Sequence, residues 1–469
     1  MTDIQTAPVG QIPPEDISSF RAELWALFKL GWPMALAQLA QMSIYTIDVI
    51  MIGRLGPYDL AAASLGLIVY FAMWMLGFGP AMAVSPMVSQ ALGANKTNYR
   101  DARRSVRAAL WLVIFFTPFV FLVSWNADHV LIAFGQDQEL AQKAGHYVKA
   151  VMLGWPFALG IMVLRNYLAV LGKTTVPLVL VLIAIALNAL LNWLFIFGAL
   201  GFPAWGLVGA GIASTIATII SFLTFMAYVY RDKTSRPFQI FTNFHKLDPA
   251  RLKEVFALGW PISITTFFEG MLFNACILIV GLIGALEVAA YHIALNVSSL
   301  AFMLPWGFAM AGAARMGLAV GAGSKPAVQR VSKATFVLAI CSISLIGIPV
   351  AIWPEAVAAI YITEHVNDAA AVMALVVSFL PIAVGFMLFD ATQVAANQLL
   401  RGMKDVRWPM MLTCISYWVV GFSAAYYFGL HTELGAKGVW YGLLLGLVCS
   451  AILLSLRLRW MFKTYNEAS

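Results

Sequence analysis

Residues Leu30 to Gly53 read "LGWPMALAQLAQMSIYTIDVIMIG". The run carries one charged side chain, Asp48. It is long enough to cross the hydrocarbon core of a bilayer as a helix, which takes about 20 residues. Its first four letters return as "LGWP" at Leu258–Pro261, 258 − 30 = 228 residues later. One stretch thus contains a membrane span, the start of a repeat and an acid where an unpaired carboxylate should not be.

The span is one of many. Twelve apolar segments begin near Ala26, Leu60, Ala108, Val148, Pro177, Gly206, Val255, Val288, Ala334, Ala370, Trp408 and Gly435. The 469-residue chain is 61% hydrophobic and 11% charged, against roughly 25% charge in a soluble protein. The runs are continuous rather than alternating, which disfavours a barrel. The chain reads as an all-α polytopic membrane protein with twelve transmembrane helices. Residues 1–24, polar and net acidic through Asp3, Glu15, Asp16 and Glu23, read as a disordered cytoplasmic tail and not as a secretory signal. Residues 25–229 read as a first lobe, 230–253 as a cytoplasmic connector, 254–460 as a second lobe and 461–469 as a cytoplasmic tail. Cys276, Cys341, Cys414 and Cys449 all lie in apolar runs and read as small hydrophobes. The +7 net charge sits in short loops, where it orients the protein rather than recruiting nucleic acid.

The loops alternate in charge. Lys96, Arg100, Arg103, Arg104 and Arg107 follow segment 2, Lys173 follows segment 4, and Arg231, Lys233, Arg236, Lys246, Arg251 and Lys253 follow segment 6. Lys325, Arg330 and Lys333 follow segment 8; Arg401, Lys404 and Arg407 follow segment 10; Arg457, Arg459 and Lys463 end the chain. The other connectors are poor in Lys and Arg. By the positive-inside rule the even loops and both termini are cytoplasmic, in a plasma (inner) membrane.

The two halves repeat. At the offset of 228, Gly53 and Gly56 match Gly281 and Gly284, Met75-Leu76 matches Met303-Leu304, and Ala81-Met82-Ala83 matches Ala309-Met310-Ala311. Near an offset of 231, Asn166, Leu168 and Lys173 match Asn397, Leu399 and Lys404. Six helices per half, each half starting inside, make the repeats parallel, with access alternating by rocking of the lobes.

Ionisable groups inside spans are functional candidates, because each costs at least about 2.5–3.5 kcal/mol at a helix centre. Asp48 shares a polar seam with Tyr45, about 60° away, and Gln41, about 20° away, and Gln38 continues the seam. Buried there, it is a candidate for proton exchange or a hydrogen-bonded structural acid. Glu269 follows Thr265 and Thr266 by one turn. Asp390 shares a face with Phe386, Gln393 and Asn397. Glu269 and Asp390 form a candidate pair that either binds a hard cation such as Na⁺ or shares a proton. The i, i+4 pairs Asn188/Asn192 and His292/Asn296 are candidates for ligand contact or interhelical hydrogen bonding. Arg315 is expected to snorkel to the cytoplasm. The acids do not repeat: Asp48 matches Cys276, Glu269 matches Gln41 and Asp390 matches Leu159.

No catalytic motif appears. "GKTT" at Gly172–Thr175 lacks the first P-loop glycine, since Tyr167 stands there. The chain reads as no enzyme, without a cofactor, and its energy must come from an ion gradient.

"GWPMALAQLAQMSIYTIDVIMIGRLG", "LNALLNWLFIFG", "LGWPISITTFFEGMLF", "AAYHIALNVSSLAFMLPWGFAMA", "FDATQVAANQLLRGMKD" and "LGAKGVWYGLLLG" together resemble the multidrug and toxic compound extrusion (MATE) family, in its NorM-type branch. The likeness covers essentially everything after residue 25. It implies two six-helix lobes around a V-shaped cavity and the export of hydrophobic organic cations in exchange for H⁺ or Na⁺. It also implies a proton and drug site at Asp48, with Asn188 and Asn192 nearby, and a cation site at Glu269 and Asp390. Some relatives carry a tyrosine where this chain has Phe386, so Phe386 lacks a hydroxyl for Na⁺ but offers a π-face to a cation. A monomeric antiporter in the lipid bilayer is expected. The alternative is a lipid-linked precursor flippase of related fold, which needs a basic cavity for pyrophosphate.

Overall fold

The structure is a computed structural model that describes residues 19–362 and 368–468. Among the described residues, twelve helices are long and apolar enough to cross a membrane and no strand occurs. They are α1 (Phe20–Gly53), α2 (Pro57–Ala94), α3 (Tyr99–Trp125), α4 (Gln138–Val170), α5 (Thr175–Phe197) and α6 (Gly206–Arg231), then α7 (Pro249–Ile283), α8 (Ala285–Gly321), α9 (Lys325–Ile352), α10 (Ala369–Gly402), α11 (Arg407–Leu430) and α12 (Ala436–Thr464). Each contains one of the twelve apolar segments, so the chain is a multi-pass membrane protein. Asp3, Glu15 and Asp16 of the expected tail lie outside the described residues.

The helices outrun the apolar segments where polar residues cap them. α3 starts nine residues before Ala108 because Asn98 Oδ1 accepts the Asp101 N–H at 3.3 Å. α4 starts ten residues before Val148 because Asp137 Oδ1 accepts the N–H groups of Glu139 and Leu140 at 3.1 and 3.0 Å. α1 starts at Phe20, inside the range assigned to the tail. Glu23 is fully buried there, and Arg315 of α8 donates to it through Nε (2.5 Å) and Nη2 (2.8 Å). Arg315 therefore does not snorkel. A carboxylate within bidentate reach satisfies the guanidinium in place, and breaking such a buried pair costs about 3–5 kcal/mol.

The chain divides into two compact units. One holds Leu36–Ser263; the other holds Ile264 onward together with the start of α1 up to Ala35. Both divisions thus fall inside helices, two residues after Pro33 of α1 and two after Pro261 of α7, and not in the connectors that bound the lobes 25–229 and 254–460. Close backbone packing explains the difference. In the first unit, a Cβ on Gly79 of α2 would lie 1.9 Å from the Gly259 carbonyl oxygen of α7. The Gly79 N–H also donates to Ser263 Oγ at 2.9 Å. In the second unit, a Cβ on Gly307 of α8 would lie 2.4 Å from Ala35 Cα of α1. Gly307 is Gly79 displaced by 307 − 79 = 228, so equivalent glycines pack against the start of a first helix in each unit.

Within the first unit, Ile52, Val69, Leu131, Tyr147, Val148 and Ile196 join one apolar core. In the second, α7, α8, α10, α11 and α12 meet around Phe379, Phe386, Tyr417 and Trp440. The connector after α6 is packed rather than loose. Trp111 Nε1 donates to the Phe244 carbonyl at 2.9 Å, and the two rings stack at 5.3 Å. Phe238 is buried between the rings of Tyr99 and Tyr167. Arg104 closes on Asp248, and that hydrogen bond holds the Asp248 carboxyl below its usual range although burial opposes it.

Candidate functional site

The first unit gathers its polar side chains on three helices. Asn188 and Asn192 lie one turn apart on α5 and are buried, at 2% and 0% exposure, although the helix is otherwise apolar. Amides placed so must find partners, because an unpaired polar group in hydrocarbon costs several kcal/mol. Asp48 of α1 supplies one partner. Asn192 Nδ2 donates to Asp48 Oδ1 at 2.5 Å and to Asn188 Oδ1 at 3.2 Å. Ser214 of α6 closes the ring: its Oγ donates to Asp48 Oδ2 at 3.3 Å and accepts from Asn188 Nδ2 at 3.3 Å.

The donors run one way. Asn188 donates to Ser214, and both Ser214 and Asn192 donate to Asp48. An ionised carboxylate only accepts, so this arrangement suits the charged acid. Asn192 Oδ1 is buried with no hydrogen-bond partner among the described residues. The same amide therefore holds an acceptor for a protonated Asp48 once it rotates. Tyr147 of α4, itself buried, lies within electrostatic reach of Asp48.

The expected seam on α1 divides. Gln38 turns to α4, where Arg165 Nη1 donates to its Oε1 at 3.0 Å. Gln41 and Tyr45 are uncovered by the rest of the chain and stand outside the ring. Ser214 is the member that sequence reasoning missed. It sits in the small-residue stretch "GLVGAGIAST", where serine reads as close helix packing.

The second unit is built differently. Asp390, Gln393 and Asn397 share one face of α10 and are buried, at 7%, 1% and 4% exposure. Asp390 Oδ1 and Gln393 Oε1 have no hydrogen-bond partner among the described residues. Glu269 of α7 lies within electrostatic reach of Asp390, and Thr265 is buried one turn before it. Tyr417 of α11 directs its hydroxyl at Glu269 Oε1, 3.5 Å away. It stands in a π-helical stretch, Ile415–Phe422, a local widening frequent at functional sites.

Two further side chains differ from expectation. Arg401, counted among the loop cations, is the penultimate residue of α10 and 4% exposed. Its Nη1 has no hydrogen-bond partner among the described residues, and its charge reaches Glu269. Phe386 packs between the rings of Phe273 and Trp440, at 6.0 and 5.6 Å. It is a core ring, and the nearby hydroxyl comes from Tyr417 instead. His292 and Asn296 are uncovered by the rest of the chain and join neither cluster; Asn296 Oδ1 accepts from Tyr361 OH at 3.0 Å.

The polar atoms of the second unit's cluster are oxygens: two carboxylates, the Gln393 amide carbonyl and the Tyr417 phenol. Hard cations take such ligands. Among the described residues no group of three or more His, Cys, Asp or Glu that could hold a metal ion occurs, so any cation held by the two acids would need neutral oxygens as well. The acceptors Asp390 Oδ1 and Gln393 Oε1 fit that need.

Comparison with known proteins adds the following. The MatE family model matches residues 33–194 and again 261–427, two matches whose starts lie 261 − 33 = 228 residues apart. A probable multidrug resistance protein NorM of Mesorhizobium japonicum is 38% identical over 456 residues, 96% of each chain. A multidrug resistance protein MdtK of Yersinia pseudotuberculosis is 32% identical over 452 residues, 95% of this chain and 97% of the other. A solved outward-facing multidrug resistance MATE transporter of the MOP superfamily superposes with a TM-score of 0.85. It covers 94% of this chain and 96% of its own at 20% identity, a likeness of fold.

Proposed function

Because the chain belongs to the MatE family, we propose that it is a secondary active multidrug exporter that releases hydrophobic organic cations in exchange for inward H⁺ or Na⁺. The observation that carries the reading is the Asp48 ring, an acid in an apolar helix whose two oxygens accept only from the neutral side chains of Asn192 and Ser214. Nothing in that ring cancels its charge, so a proton or a cationic drug does. The two occupants compete for one carboxylate, so a proton taken up at Asp48 favours release of the drug once the second cluster has taken its driving ion.

The second cluster supplies the drive. Glu269, Asp390 and Arg401 sum to one negative charge, so a single monovalent cation brings the site to neutrality. One charge moved through about 100 mV is worth roughly 2.3 kcal/mol, or about a fiftyfold gradient of a neutral or exchanged substrate. The flippase alternative calls for basic groups that receive a pyrophosphate, whereas both clusters carry net negative charge. Twelve spans leave the two termini on one side of the membrane. The Lys- and Arg-rich even loops support the cytoplasmic side of an inner membrane. We take the working unit to be one chain.

The test is transport by the purified protein in proteoliposomes, with a pH gradient or a Na⁺ gradient imposed separately. Ethidium moves against its gradient under at least one of them. Ethidium movement that ignores both gradients would refute the antiport.

A further inference from the structure

Two hollows in the first unit lie side by side and share Phe241 as a wall. One is an apolar groove of about 590 Å³ between α3, α4 and α6, lined by residues that include Val113, Thr117, Phe157, Phe222 and Phe244. The other, about 490 Å³, lies where α6 ends, and holds Arg231, Arg236, Tyr230, Gln239 and Thr242. Neither arginine has a carboxylate partner among the described residues. The nearest acid in sequence, Asp232, is already taken by Lys173 and by the Ser235 N–H at 2.9 Å. Along α6, Met226 of the groove and Arg231 of the basic hollow are separated by five residues, a rise of about 7.5 Å.

The wall between them is built. Arg107 of α3 donates from Nε to the Ile240 carbonyl (2.5 Å) and from Nη2 to those of Gln239 (2.7 Å) and Thr242. With the Trp111–Phe244 contact, this pins the connector over the groove.

We propose that these paired hollows bind one anionic phospholipid, its acyl chain in the groove and its phosphate between Arg231 and Arg236. The argument is charge complementarity at the polar end of an apolar slot in a membrane protein. The exported cations are a poor fit, since two uncompensated arginines repel them. The site lies on α3, α4, α6 and the connector; it shares α6 with Ser214 but none of its lining residues belongs to the Asp48 ring, and it stands whether or not the export reading does.

The full-length protein, purified in mild detergent and analysed by native mass spectrometry, tests this with phosphatidylglycerol, phosphatidylcholine and glycerol phosphate as probes. Wild type retains phosphatidylglycerol over phosphatidylcholine, with about a fivefold contribution from each arginine. The Arg231→Ala/Arg236→Ala double variant loses that preference yet still carries lipid. Thr117→Trp, which fills the groove, lowers retention of both lipids while leaving the elution volume unchanged. An undiminished preference in the double variant would overturn the headgroup assignment. Displacement of phosphatidylglycerol by an equal concentration of glycerol phosphate would overturn the lipid in favour of a free phosphate site.

Discussion

Asp48 and Asp390 stand in the same repeated scaffold and meet opposite surroundings. Asp48 receives donors from Asn192 and Ser214 on its two oxygens. Asp390 is more deeply covered, yet its Oδ1 has no hydrogen-bond partner among the described residues. Near it stands a second acid, Glu269, which in turn feels the charge of a buried guanidinium, Arg401. The first site is a carboxylate solvated by protein and the second is an oxygen-rich cluster short of donors. Duplication preserved the helices, the Gly79/Gly307 crossing and the Pro33/Pro261 pair, while the polar chemistry diverged.

That contrast can be broken. The largest effect is expected from Asp48→Asn, which removes the only charge in its ring and leaves an amide facing two other amides. Export of ethidium-like cations from cells falls to the level of cells without the protein, while the amount of folded protein in the membrane is unchanged. Wild-type export by this variant would dissolve the first site. A smaller pair of effects sharpens the comparison. Tyr417→Phe deletes a long hydrogen bond to Glu269, and Ser214→Ala deletes one to Asp48. Hydrogen bonds to charged groups are worth about 1.5–3 kcal/mol. At 3.5 and 3.3 Å each is expected at the low end, about a tenfold loss of apparent affinity. Tyr417→Phe changes the concentration of coupling ion at half-maximal transport, and Ser214→Ala changes the drug concentration. The reverse assignment of the two shifts would exchange the roles of the sites.

The fold was open to reading because hydrocarbon imposes it. Backbone groups in a bilayer satisfy themselves within helices, so long apolar runs report spans directly, and the "LGWP" repeat reports the duplication. Asn188 and Asn192 were legible because two amides one turn apart have no reason to occur in an apolar helix unless they face each other and a partner. The rest was hidden for identifiable reasons. Ser214 is disguised by a stretch of small residues. Tyr417 lies in π-helical backbone, where 3.6-residue periodicity no longer assigns a face. Arg401 abuts a genuine cationic loop and was counted with it. Glu23 seemed part of a polar tail because its partner, Arg315, is 292 residues away. Gln41 and Tyr45 were grouped with Asp48 because a single helix shows which residues share a face, not how neighbouring helices divide it.

Under the proposed antiport, the second cluster handles the coupling ion separately from Asp48. The most direct test is ethidium transport by Glu269→Gln and Asp390→Asn in proteoliposomes with imposed Na⁺ or pH gradients, together with equilibrium ethidium binding to the same preparations. The account predicts that both variants bind ethidium near wild-type strength and lose the dependence of transport on the driving ion. An unchanged response to both Na⁺ and pH in the two variants would contradict it.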